Sequence, residues 1–214
     1  MQRTAYLIDG FSLYHGLRAA REPSGNRPML WLDIRALCTT YLAQARRATG
    51  GEDACLAGIH YFSARPIHRS KDKLARHGLY MECLRSTDVN VRLGRFRFKD
   101  VTCPLCQQMY RRHEEKQTDV ALGVRLLETF YEDEADIIAL VTGDTDLIPA
   151  VQACQRPFPR KLVCFIFPFR RSNNSLIKLA PHSVKMARQT IERHQFADPL
   201  TLPNGRKVHR PPHW

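Results

Sequence analysis

Two spacings of apolar residues alternate along the chain. Short unbroken runs at 4–8, 55–64, 137–141 and 161–167 predict buried strands. The third, IIALV, has the continuous apolar character of a parallel strand covered on both faces. Between these runs apolar residues return every three or four positions and predict helices. Leu13, Leu17 and Ala20 form one such stripe, and Leu37, Tyr41 and Ala45 another over 34–47, where Asp33 can cap the start. A basic helix is expected over 71–84, one over about 116–131 on Val120, Val124 and Leu127, and shorter ones from 147 and 172. VNVRLGRFRF alternates apolar and basic residues, which predicts a half-exposed strand with a break near Gly94, followed by the tight turn TCPLCQQMY. An Asn-Gly turn near the end indicates a small hairpin or a loose arm. Strands alternating with helices predict an α/β fold with a mostly parallel sheet flanked by helices, and such sheets carry function at the carboxyl ends of their strands.

Composition narrows the class. A chain of 214 residues with 43% hydrophobic content suits one globular domain, here 1–190, with a Cys-containing β insertion at about 89–113 and a basic C-terminal tail over 191–214. No run of about 18 apolar residues and no signal-peptide pattern is found, so no membrane partner and a cytoplasmic location are expected. Seven irregularly spaced cysteines argue against a disulfide framework. Net charge is +12, unevenly spread. Residues 156–214 hold twelve Lys or Arg against two acids, 65–99 ten against three, and 100–155 four against eleven. An acidic island between two basic regions suits a site that gathers cations at its centre and a polyanion around it.

The acids supply the candidate chemistry. Asp9 closes the first strand, Asp144 and Asp146 follow the strand at 137–141, and Asp119 opens a helix. Four carboxylates meeting at one sheet edge would repel unless a cation joined them, and oxygen ligands without His or Cys favour Mg²⁺ or Mn²⁺. Such ions bind phosphate oxygens and acidify water, which points to phosphodiester hydrolysis. Each acid also has a structural reading: Asp146 as a helix cap, Asp144 as a turn residue, Asp119 at a helix dipole, Asp9 in an ordinary turn.

LIDGFSLYHGL, EEKQTDVALGVRLLE and LVTGDTDLIPAV, in that order, resemble the three motif blocks of NYN-domain proteins, relatives of the PIN-like nucleases. The resemblance implies a Rossmann-like PIN fold and a metal-dependent endoribonuclease whose metal-holding acids are Asp9, Asp119, Asp144 and Asp146. Two positions depart from the pattern. Ser12 stands where the first block has Asn, and Pro181-His182 stand where an acid often follows the Ser-x-x-Leu helix. The alternative is a catalytically weak RNA-binding module in RNA processing or regulation.

Ser12, Lys116, Thr142, Thr145, Arg170 and Arg171 are candidates for holding the substrate, RNA, with DNA not excluded. Tyr14, Tyr110 and Trp214 are candidates for base stacking, though core packing is the better expectation for Tyr14, Phe96 and Phe98. Cys103-Pro-Leu-Cys106 has the knuckle spacing of a zinc ligand pair but lacks a second pair. His113 and Cys83 could complete it, a second subunit could lend its own pair in a homodimer, or the loop could hold no metal.

Overall fold

The computed structural model describes residues 1–214 except 23, 24, 26, 52, 181 and 213. Part of the loop at 22–28, and Pro181, therefore lie outside the described residues. Strands β1 (Gln2–Asp9), β2 (Ala54–Ala64), β3 (Asn90–Thr102), β4 (Met109–Lys116), β5 (Ile137–Val141), β6 (Leu162–Phe167) and β7 (Val184–Lys185) form one sheet. Its order is β4-β3-β2-β1-β5-β6-β7, and every neighbouring pair is parallel except β3 with β4. The helices are α1 (Gly10–Arg21), α2 (Ile34–Ala48), α3 (Lys71–Arg85), α4 (Thr118–Tyr131), α5 (Ile148–Gln155), α6 (Asn174–Leu179) and α7 (Arg188–Arg193).

Helices cover both faces, which is why the central strands are apolar throughout. One face carries the larger core, where Trp31, Tyr6 and Ile8 meet helices α1, α2 and α3. The other packs Leu7, Phe62 and Leu140 against α4, α5 and α6. Each large side chain sealed here contributes roughly 2–3 kcal/mol of transfer free energy.

Helix α4 lies in register 118-122-126-130: Leu122, Leu126 and Phe130 are buried, while Val120 is 71% exposed and Val124 is also exposed. The expected stripe on Val120 and Val124 is thus corrected. Both stripes satisfy a helical period, and the packing of α4 on β1 and β2 selects the one that leaves Asp119 at the sheet edge.

The break foreseen at Gly94 is a change of partner. Residues 90–94 of β3 pair with β2, and 95–102 pair with β4 in an antiparallel hairpin that projects beyond the sheet. Gly94 is needed there because a Cβ would stand 2.7 Å from Thr118 Oγ1 and 2.8 Å from the Lys116 carbonyl oxygen. The C-terminal segment is no loose arm. Ile191, Phe196, Leu202 and Val208 are buried in the larger core, with strands β8 (Leu200–Thr201) and β9 (Lys207–Val208) forming the small hairpin. Trp214 packs edge-on against Trp31 and Tyr80. Tyr14 and Phe98, expected in the core, are exposed; the Phe98 ring is covered instead by the Arg111 guanidinium at 4.4 Å.

Candidate active site

β1 and β5 are parallel neighbours, so their carboxyl ends open on the same edge. β1 ends on Asp9, whose carboxylate turns back to cap α1. Its Oδ1 accepts the Phe11 and Ser12 backbone N–H groups, both at 3.0 Å, and its Oδ2 accepts the Thr142 hydroxyl at 2.8 Å. Thr142 Oγ1 in turn accepts the Asp144 N–H at 3.0 Å, and Ser12 Oγ accepts the Gly143 N–H at 2.9 Å. Two strand ends are thereby tied together through four polar side-chain atoms, all on the three buried residues Asp9, Ser12 and Thr142. Ser12, in the position where the NYN pattern has Asn, holds the chain through this bond.

Asp144 caps the short turn Thr145–Leu147 by accepting the Asp146 N–H at 3.0 Å. The capping role expected of Asp146 therefore belongs to Asp144. Asp146 and Thr145 are exposed beside it. Asp119 sits in the first turn of α4.

These acids share one electrostatic neighbourhood. Loss of water, then Glu115, Asp9, Asp144 and Asp146, raise the Asp119 carboxyl to about 6. Burial also pushes Asp9 up, offset in part by its hydrogen bonds from Ser12 and Thr142. Glu115, at the end of β4, was not foreseen as a site residue. It accepts the Thr118 N–H at 3.0 Å and the Thr118 hydroxyl, and so fixes the entry to α4. Its signal lay in the EEKQTD block, where the motif pattern drew attention to the later residues.

The acidic island is divided. Glu128, Glu132 and Glu134 surround the buried Arg125, while Asp133 and Asp136 pair with Arg3. Lys161 also pairs with Asp133. That half is neutralised structurally; the half at the strand ends is not.

Among the described residues no three His, Cys, Asp or Glu side chains form a ready-made metal cage. The donor set still fits a small hard cation, because Mg²⁺ is commonly held by one or two carboxylates and keeps several waters. Asp9 already accepts three hydrogen bonds, so Asp119, Asp144 and Asp146 are the acids suited to direct contact.

The raised Asp119 has a measurable consequence. A folded chain that binds this proton more tightly than the unfolded chain loses stability as pH rises from the ordinary carboxylate range through about 6. In EDTA, Asp119→Asn is expected to raise the thermal midpoint at about pH 7.5, and added Mn²⁺ to raise the wild-type midpoint more there than at about pH 5. Scanning calorimetry at both pH values checks this; equal metal shifts would show that the acids do not bind as a group.

The proposed substrate contacts fall in two sets. Arg170 and Arg171 stand exposed on the turn after β6, and that turn packs directly on Gly143. His15 is close enough to Asp9 and Arg171 to feel both, with burial lowering its pKa first. Lys116 does not steady the acids but pairs with Glu114 at 2.9 Å. Next to Gly10 a cleft of about 760 Å³ runs between α1 and α3. Arg18, Arg69, Lys73 and Arg76 line it, with Tyr14 and Phe96 as aromatic walls. Trp214 borders this cleft too, whereas Tyr110 lies out on the β3–β4 hairpin.

Among the described residues the zinc pair gains no further ligand from its own chain. Cys83 is sealed in the core on the buried face of α3. His113 lies opposite Phe98 and stacks on His68, four residues along β4 from Met109, or about 13 Å at the usual strand rise. Neither reaches Cys103 or Cys106.

The chain is similar to 6-hydroxy-3-succinoylpyridine 3-monooxygenase HspA of Pseudomonas putida strain S16. The two are 25% identical over 246 aligned positions, which cover 99% of this chain and 75% of that protein. The solved structure of VPA0982, a Vibrio parahaemolyticus protein of unknown function, shares the fold with a TM-score of 0.52 and 19% identity, covering 87% of this chain and 93% of that one. The NYN domain family model matches residues 3–187, which takes in both acid-bearing strand ends and nearly all of the seven-stranded sheet. With this match over most of its length, the chain belongs to the NYN domain family of the PIN-like superfamily.

Proposed function

We propose that this protein is a Mg²⁺- or Mn²⁺-dependent endoribonuclease that hydrolyses RNA phosphodiester bonds at the β1–β5 edge. The observation that carries this reading is the raised pKa of Asp119, caused first by loss of water and then by the nearby carboxylates Glu115, Asp9, Asp144 and Asp146, none of which has an ion-pair partner among the described residues. Asp119, Asp144 and Asp146 would hold the ion, while Asp9 fixes Thr142 and the Asp144 backbone. When bound, the ion supplies charge stabilisation at a phosphoryl oxygen and acidifies water. Arg170 and Arg171 would meet the phosphates, and the cationic, aromatic-lined cleft suits the nucleotides beside the cut. The described cysteines are all unpaired, and no helix among the described residues is long and apolar enough to cross a membrane. A cytoplasmic site of action accords with the unpaired thiols.

The activity named for the Pseudomonas relative is oxygenation. Rossmann-type folds seat a dinucleotide pyrophosphate on the first helix N-terminus. Here the Asp9 carboxylate already takes those N–H groups, which favours hydrolysis.

The test is cleavage of a labelled single-stranded RNA. Shortened products are expected with Mn²⁺, none in EDTA, and recovery when Mn²⁺ is restored. Intact RNA under all metal conditions would overturn the enzyme reading. Salt-sensitive binding without products would identify an RNA-binding module instead.

A further inference from the structure

We propose that the tip of the β3–β4 hairpin is half of a zinc site, completed by the same two cysteines of a second copy, so that zinc joins two chains. The tip is built for a metal-bound thiolate. The last ladder pair is Thr102 with Met109, leaving Cys103 to Gln108 as the closing loop. Cys103 N–H donates to the Gln108 carbonyl and Gln107 N–H to the Cys103 carbonyl, both at 2.9 Å, with Gln107 held at φ 57. Cys103 and Cys106 thus stand three residues apart on one tight loop, both thiols unpaired, the knuckle spacing that lets two thiolates share one tetrahedral zinc.

Two ligands are not enough. Structural zinc takes four, and among the described residues nothing else gathers at the tip. The surroundings favour a second copy as their source. Leu105 is 94% exposed, and Met109 and Tyr110 beside it are exposed as well. Large side chains exposed at the end of a projecting hairpin are the kind of surface that a partner tip would bury. None of this depends on the nuclease reading.

The test uses untagged protein grown with zinc, measured for metal content and for mass by light scattering. One zinc per pair of chains and a dimer are expected. A strong zinc chelator should give monomers with unchanged circular dichroism, and re-addition of zinc should restore dimers. Replacing the metal with Co²⁺ should give the intense visible bands of a tetrahedral tetrathiolate site. Cys103→Ser with Cys106→Ser, both on the loop rather than in the core, should be zinc-free and monomeric with unchanged circular dichroism and thermal midpoint. Protein without zinc, a monomer that binds zinc, or a dimer indifferent to chelation would each overturn the proposal.

Discussion

Asp144→Asn is expected to lower RNA cleavage by at least about 100-fold while the chain remains folded. The loss should exceed that of a residue that merely orients a metal ligand, which typically reaches about 100-fold. The amide keeps an oxygen that can accept the Asp146 N–H, so the turn at Thr145–Leu147 stays closed. Only the charge disappears. Because Asp144 is one of the acids that raise Asp119 and Asp9, its neutralisation should also bring the Asp119 pKa down from about 6. Three readouts are therefore coupled: activity lost, metal-free thermal midpoint held or raised, and Asp119 titrating at lower pH by NMR. Wild-type cleavage in this variant would remove the acids from the chemistry.

Gly143→Ala is expected to cost about 1–3 kcal/mol, the usual range for forcing a methyl group into packed surroundings. A Cβ built on Gly143 would lie 2.1 Å from the Arg171 carbonyl oxygen and 3.1 Å from its carbonyl carbon. These are backbone atoms, so no rotamer change relieves the contact. Either the turn bearing Arg170 and Arg171 retreats, or Thr142–Asp144 shifts and releases the hydrogen bonds at Asp9 and Ser12. Both outcomes damage the site, so activity should fall with stability. Urea unfolding measures the first effect. Gly78→Ala in α3 is the control: open space surrounds its Cβ, and removing a helix glycine should stabilise by about 0.5–1 kcal/mol. A Gly143→Ala variant as stable as the wild type would show that the Arg171 turn is not tightly seated.

Much of this architecture can be read from the chain because local signals and tertiary demands agree. Buried parallel strands need apolar runs, and the runs at 4–8, 137–141 and 161–167 coincide with β1, β5 and β6. The acids at their ends stand out because nothing local explains them all. Strand β4 gave no such signal. MYRRHEEK is solvated along most of its length and has no apolar alternation, so its strand state comes from backbone pairing with β3 alone. The α4 stripe misleads for a different reason: two sets of positions share the helical period, and only packing against the sheet chooses between them. The acidic island blurred two groups of carboxylates, since sequence position cannot show that Arg125, Arg3 and Lys161 neutralise one group and leave the other facing the crevice.

The hydrogen bonds of Asp9 bear on how relatives of this chain should be judged. Dropping that residue would strand two amide hydrogens and a hydroxyl in the interior, so a descendant that had abandoned its chemistry would still retain it for folding. Asp119 and Asp146, both at the surface, have no comparable hold on the architecture. Their disappearance, rather than that of the first aspartate, is the mark by which inactive descendants would be told apart.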